Sequence, residues 1–497
     1  MITREQALEI YRAGPEAVVK VICELSLAVD NLKKLVKELE GKVERLQNRV
    51  RELEEQLAKN SRNSGKPPSS DGPYNKPAPR SLRSCSGRKP GGQKGHEGHT
   101  MEMVDNPDRT IVHKVRGPCK GCGRSLEGQK PSGFERRQVV DIPPMRKEVI
   151  EHRGEVKDCK CGYVNKAEFP EGVVAAVQYG PNLRSVATYL GGYQLLPYHR
   201  TRELISDLFG IDLSEATLVN MINRCAGLLK EVVERIRRLV KGSPVINLDE
   251  TGRRVEGNLW WLHTASTPEL TYYRIHPRRG GEALADIGIL PGFEGRAIHD
   301  HWNPYFRYDC KHGLCNAHHL RELIFFIEEQ GQRWSRRMKK CLLDINDTVE
   351  RSRKAGRKSL SRHRIRKFEA RYKRILRAGY EENPLPGKRR KGRKKRGRIP
   401  KPKAVNLLDR LKNHESAVLS FMYDFNVPFT NNLVERDQRM AKVHEKISGT
   451  FRSREGAHAF CCIRSYISTA RKNDINVIEA IQNAFAGAPF IPHPDTC

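Results

Sequence analysis

No apolar run in the chain approaches the roughly 20 residues needed to span a bilayer. The N-terminus, Met1-Ile2-Thr3-Arg4-Glu5, lacks the apolar core of a signal peptide. Basic amphipathic helices with Trp or Phe faces are also missing, which speaks against an anionic membrane as partner. The 13 cysteines are an odd number in a long chain without an export signal, so a disulfide framework is not expected. Metal binding or simple burial accounts for them better. Acids are scarce: 59 Asp and Glu face 91 Lys and Arg, a formal net charge of +32. Such an excess repels itself unless a polyanion neutralises it, and nucleic acid is the simplest polyanion. A cytoplasmic, nucleoid-associated bacterial protein is the expected setting. With 497 residues, 37% of them hydrophobic, more than one domain and at least one real core are expected.

Residues 22–57 alternate three- and four-residue apolar steps. One set is Ile22, Val29, Val36, Val43, Val50 and Leu57; the other is Leu25, Leu32, Leu39, Leu46 and Leu53. β-branched residues in the first set and Leu in the second favour a parallel two-stranded coiled coil, hence a homodimer. The alternative is one amphipathic helix packed on its own domain. Residues 59–100 then turn to Pro, Ser, Gly and Lys and read as a flexible basic linker. Within it, Gly87-Arg88-Lys89-Pro90-Gly91-Gly92 can lie along a minor groove or serve as a plain tether.

Cys119-Lys120-Gly121-Cys122 and Cys159-Lys160-Cys161-Gly162 suggest two knuckles closing on one Zn²⁺. The first pair has the favoured two-residue spacing, and the second has one residue between its sulfurs. His113 and His152 can replace a ligand, and four reduced structural cysteines are the alternative. Further on, Arg202 to Phe209, Gly210, and Leu213 to Asn223 resemble helix, turn, helix: Gly210 permits the turn and Ser214 caps the second helix. This unit either enters a major groove or is a plain helical hairpin.

From residue 244 the pattern changes to strands. Pro244–Asp249, Leu259–Ala265 and Leu270–Ile275 form a meander separated by turn residues. Gly281 to Ile289 then reads as a helix and Arg296–Asp300 as a fourth strand. This order is that of a ribonuclease-H-like core, in which the first and fourth strands lie side by side. Asp249 and Asp300, each expected at a strand end, would then be neighbours although 51 residues apart. Glu435 would add a third carboxylate from a helix, with Lys442 about two turns later on the same face. Such a set suits Mg²⁺ or Mn²⁺, which prefers carboxylate oxygens and supports phosphodiester cleavage. The alternative is that the three acids are caps or surface ion pairs. Lys442 and Arg436 are the candidate DNA contacts beside the site. Lys388 to Lys403 holds eleven Lys or Arg and no acid, and there Arg396 and Arg398 form a candidate minor-groove hook. Cys310, His312, Cys315 and His318 can form a further metal site; the alternative is that Cys315 packs in the core and His318 lies near the active centre.

Leu248-Asp249-Glu250-Thr251, Ile298-His299-Asp300-His301-Trp302, Cys315-Asn316-Ala317-His318 and Asn431-Asn432-Leu433-Val434-Glu435-Arg436 resemble the motifs of the insertion sequence 66 family of DDE transposases. So do Lys446-Ile447-Ser448-Gly449 with Phe451-Arg452, Ser465–Thr469, the zinc-binding segment and Lys59–Ser64. Thr430 departs from the pattern, since many relatives have Asp there. The resemblance implies Asp249, Asp300 and Glu435 as catalytic triad and metal ligands. It also implies binding to terminal inverted repeats and target DNA, and accessory transposition proteins as partners. The expected architecture is multidomain, mainly α with an α/β core. It comprises a coiled-coil helix (1–58), a basic linker (59–105), a zinc-binding domain (106–172) and a helical DNA-binding region (173–240). A ribonuclease-H-like catalytic domain (241–470) with a helical insertion at about 335–425 follows, then a C-terminal helical tail (471–497). The expected activity is cleavage of element ends and transfer of the freed 3′-hydroxyls into target DNA. The rivals are a non-catalytic DNA-binding regulator or decayed transposase, and a structure-specific nuclease.

Overall fold

The computed structural model describes residues 3–64, 95, 101–143, 145–384 and 401–493. Most of the Pro-, Ser- and Lys-rich linker lies outside the described residues. So does most of the basic run, with Arg396 and Arg398. The chain divides into two compact units. One holds the N-terminal helices, Val177–Thr201 and the chain from Ser214 on; the other holds the cysteine-bearing segment up to Ala176 and Arg202–Leu213.

The first unit begins with α1 (Arg4–Arg12) and α2 (Pro15–Leu57). Thr3 and Gln6 close a capping box on α1, and Pro15 opens α2 at a position where its missing N–H is not needed. At 43 residues α2 is about 65 Å long. Its apolar stripe is exposed throughout, from 42% at Leu53 to 86% at Leu57. Its far end and the residues just beyond it dock: Lys403 pairs with Glu55 at 2.6 Å, Arg62 pairs with Glu328, and the Lys59 ammonium lies over the Phe325 ring.

In the second unit, β1 (Val156–Asp158) and β2 (Val164–Lys166) form a small antiparallel hairpin. The cysteine pairs shape two matching turns. Gly123 N–H donates to Cys119 O and Gly162 N–H to Cys159 O, both at 2.8 Å. Both glycines have positive φ, +77° and +87°, a conformation that side-chain-bearing residues avoid.

Helices α3 (Pro181–Thr188), α4 (Tyr198–Phe209), α5 (Glu215–Leu228) and α6 (Lys230–Gly242) follow. Gly210 ends α4 at φ +63°, and the Ser214 hydroxyl accepts from Thr217 N–H to cap α5. Both were expected from the residues alone.

The sheet contains β3 (Val245–Val255), β4 (Asn258–Ser266), β5 (Thr271–His276), β6 (Arg296–His299) and β7 (Lys311–Leu314), with α7 (Gly281–Ile287) before β6. Its order is β5-β4-β3-β6-β7. The first three strands are antiparallel neighbours, while β6 and β7 run parallel to β3. The first and fourth strands of the sheet are therefore adjacent. The fifth, β7, was not expected; its four residues, Lys311-His312-Gly313-Leu314, give little periodicity.

Helices α8 (Asn316–Gln330), α9 (Arg333–Lys354), α10 (Arg362–Glu382), α11 (Lys403–Asn413), α12 (Glu415–Val418) and α13 (Ser420–Tyr423) occupy the long interval before α14 (Asn432–Ser448). They share an apolar core built on Trp334, Met338, Leu342, Tyr372, Leu408 and Phe421. The chain closes with α15 (Arg454–Lys472) and α16 (Val477–Phe485), whose Ile463, Tyr466 and Ile481 pack into the core that takes Ile246 and Leu248 from β3 and Ala297 from β6. Among the described residues no helix is long and apolar enough to cross a membrane.

Candidate active site

Side chains alternate along a strand. Ile246 and Leu248 enter the apolar core, which turns Asn247 and Asp249 to the opposite face of β3. Asp249 does not end its strand as expected. The hairpin through Glu256-Gly257 extends the β3–β4 ladder as far as Val255 paired with Asn258. The parallel β3–β6 ladder, however, stops at Asn247 opposite Ile298. Asp249 thus stands two residues past the point where those two strands part. Asp300 directly follows β6.

The backbone turns sharply after Asp300. His301 has φ +79°, a left-handed conformation that costs a β-carbon residue energy and persists where surroundings enforce it. Asp300 Oδ1 accepts from Trp302 N–H at 3.0 Å, and the His301 ring meets the His414 ring edge-on at 4.7 Å. This local closure fixes the direction of Asp300.

Glu435 sits in the first turn of α14. Asn431, the residue before that helix, ties it to β3. Asn247 Nδ2 donates to Asn431 Oδ1 at 2.8 Å, and Asn431 Nδ2 donates to Leu248 O at 2.8 Å. The Asn431 side chain is buried. Replacing it with Ala would strand the Asn247 amide and the Leu248 carbonyl. Asn431→Ala should therefore cost about 2–4 kcal/mol in urea denaturation. Further down, Arg253 is fully buried and anchors α14 by donating to Ala441 O at 2.8 Å. On the other side, Asp437 accepts from Ser266 and pairs with Lys472 at 2.8 Å. The helix start carrying Glu435 is thus held on the same sheet face as Asp249.

The electrostatics separate two adjacent acids. Glu250 is engaged: Arg279 donates to its Oε1 through two nitrogens at 3.0 and 2.7 Å, and Tyr305 donates to Oε2 at 2.5 Å. The Arg279 guanidinium is itself held between the Trp261 and Trp302 rings, 4.7 and 4.4 Å from their centroids. Sequence reading missed this clamp, whose partners lie on separate segments. Asp249 has no such cation among the described residues. Burial, then the charges of Glu250, Asp300 and Glu435, push its carboxyl well above the ordinary range. Glu435 Oε1 is buried with no hydrogen-bond partner. Half-buried acids crowded without a protein cation are a fitting cradle for a hard divalent ion.

A raised folded-state pKa makes the metal-free protein lose stability as pH climbs from the unfolded carboxyl value, about 3.9, through the folded one. At pH 7 without metal, Asp249→Asn should therefore melt a few degrees higher than the parent. The gap should narrow as pH falls toward about 4, and Mg²⁺ should raise the melting temperature of the parent more than that of the variant. Equal, Mg²⁺-insensitive melting would count against the cradle.

The other candidates are distributed as follows. Lys442 donates to Gly252 O at 3.2 Å and pairs with Glu445 at 3.0 Å, so it is tethered to β3 while part of it stays exposed. Arg436 is exposed. The proposed set of Cys310, His312, Cys315 and His318 is not one cluster. His312 instead bonds His299 at 3.1 Å, whereas Cys315 and His318 join Glu435, with ligand atoms within 4.8 Å of one another. The Cys315 thiol is pushed up to about 11, chiefly by burial, and His318 is pulled down to about 4 by burial and then by Arg321. In the cysteine-bearing unit, the Cys119 thiol is lowered by backbone N–H groups of Cys122 and Gly121, and that of Cys159 by Cys161. Amides directed at sulfur suit thiolates that would hold a metal.

The fold and site define a mixed α/β protein with two half-buried carboxylates at the parting of two parallel strands and a third on a helix that follows a large helical interval. A family model described as Transposase IS66 family matches residues 176–459, and a second, described as Family of unknown function (DUF6444), matches residues 15–102. No curated protein matches the chain. The chain belongs to the IS66 family of transposases. It is accordingly a DNA-binding, DNA-cleaving enzyme.

Proposed function

We propose that Asp249, Asp300 and Glu435 are the catalytic carboxylates of a ribonuclease-H-like DDE domain, which cleaves element ends and transfers the freed 3′-hydroxyls into target DNA. The observation that carries this reading is geometric: Asp249 stands two residues past the point where β3 and β6 part, Asp300 directly follows β6, and Asn431 ties the start of the Glu435 helix to β3. These three residues would hold Mg²⁺ or Mn²⁺, which supplies activation of the attacking oxygen and stabilisation of the departing one. The protein's own part is placement. The β3–β6 pair sets the two aspartates, Asn431 sets the start of α14, and the Glu250–Arg279 clamp removes a competing carboxylate from the site.

The remaining assignments belong to the same reading. Lys442 and Arg436 would meet backbone phosphates near the site, and Arg396 and Arg398 would hook a minor groove. The four cysteines Cys119, Cys122, Cys159 and Cys161 would hold Zn²⁺ and, with α4 and α5, recognise terminal repeats. The stripe on α2 would pair two chains. Helices α9 to α13 would be an insertion in the catalytic domain, and residues beyond 470 its C-terminal tail.

The test is a strand-cleavage and strand-transfer assay on DNA carrying the element's ends, with Mg²⁺ or Mn²⁺. Both activities are expected from the full chain. Cleavage without joining would leave a nuclease, and binding with neither would leave a regulator or decayed enzyme.

A further inference from the structure

Two helix starts meet beside the carboxylates. Cys315 caps α8 and His318 lies in its first turn, three residues on and therefore on the same face. Glu435 occupies the first turn of α14. The two starts are tied by Asn316 N–H donating to Phe429 O at 3.1 Å and by Asn431 N–H donating to Cys315 Sγ at 3.2 Å. Cys315 is buried, and the ligand atoms of Cys315, His318 and Glu435 all lie within 4.8 Å of one another. Two buried polar atoms here, His318 Nδ1 and Glu435 Oε1, have no hydrogen-bond partner. Burying such atoms unpaired is costly, and most native examples have an explanation such as an unseen ion.

We infer that Cys315, His318 and Glu435 form a metal-ion site for a borderline-soft divalent cation of the zinc class, sharing Glu435 with the carboxylate set. Sulfur, imidazole and carboxylate are the donors such ions accept, and thiolate disfavours Mg²⁺. Three protein ligands leave the fourth tetrahedral position open to water or a DNA oxygen. Tetrahedral coordination needs ligand atoms roughly 3.3–3.8 Å apart, so the side chains must close by up to about 1.5 Å. The Asn431 N–H directed at Sγ stabilises the thiolate, and ion uptake displaces the Cys315 proton to solvent. The consequence for DNA chemistry, a catalytic centre with one carboxylate position tuned to a softer ion, rests on the reading of Glu435 given above. The coordination itself does not.

The test is Co²⁺ titration of the full chain, read by thiolate-to-cobalt charge-transfer absorption and by bound equivalents. Cys315→Ala and His318→Gln should each lose about one equivalent, or bind it at least tenfold more weakly, with part of the absorption gone. Cys310→Ala, which lies outside the cluster, should keep both, and the cysteines of the zinc-binding segment supply an unchanged background. A folded His318→Gln chain, checked by circular dichroism, that keeps the full absorption and stoichiometry overturns the site. So does an unchanged titration of Cys315→Ala, and either variant suffices if the other fails to fold. The transposition reading fails separately, through DNA cleavage that survives Asp249→Asn.

Discussion

Asp249→Asn, Asp300→Asn and Glu435→Gln are each expected to lower cleavage of element-end DNA by about 10³-fold or more, while binding of the same DNA should change only a few-fold. The expectation comes from how the three acids are held. Each is positioned by backbone fixed independently of its own side chain: Asp249 by the β3–β4 ladder, Asp300 by the turn at His301, Glu435 by the Asn431 anchor. Neutral isosteres therefore keep the shape and remove only charge, and the fold should survive. DNA affinity comes mostly from the large basic excess elsewhere, so it should be nearly indifferent to the change. Groups that act as a unit are not additive, and the triple variant should be scarcely worse than any single one. A matched control is Glu250→Gln. Glu250 is already engaged by Arg279 and Tyr305, so its loss should act first through stability, seen as a lower melting temperature. Cleavage that survives each of the three single substitutions sinks the triad.

The second large effect is on assembly. The chain is expected to sediment near twice its mass of 56.8 kDa, and Leu32→Lys with Leu39→Lys should return it to the monomer. Both leucines lie at the centre of the α2 stripe, 59% and 48% exposed in the single chain. A dimer would bury four of them at once. At about 2 kcal/mol for each lost leucine, the dissociation constant should rise by 10⁴ or more. Lysine at these positions also places like charges across the seam. The alternative of α2 packing along its own domain finds no support along the stripe, because the described contacts of this helix with the domain lie at its end, around Glu55 and Lys59. A monomeric parent chain, or a double variant that remains dimeric by sedimentation, would overturn the coiled coil.

Local pattern made much of the site readable. Asp249 and Asp300 each follow an apolar β-branched stretch, and alternation along a strand is a property of neighbouring residues alone. The turn at Glu256-Gly257, the cap at Ser214 and the left-handed Gly210 are local too, and the residues fix them without help. The heptad stripe is likewise written in spacing, as are the paired cysteine turns with their following glycines. Family membership was readable because the motifs recur in combination.

What the chain order could not contain was decided by packing. Asp249 does not end its strand, because the hairpin ladder carries β3 past it; what ends there is the parallel pairing with β6, a relation between segments about 50 residues apart. The choice of Asp249 over Glu250 depends on Arg279, Tyr305 and two tryptophans that only the folded sheet assembles. Asn431 looked like one letter of a motif, yet it is the buried joint that sets Glu435. Sequence proximity groups Cys315 and His318 with Cys310 and His312 as readily as it buries Cys315 and sends His318 to the active centre; the fold decides for the second, turning both toward Glu435. Spacing along the chain thus determined which residues could be chemically useful. Burial and non-local hydrogen bonds, which depend on segments far apart in sequence, decided which of them face one another.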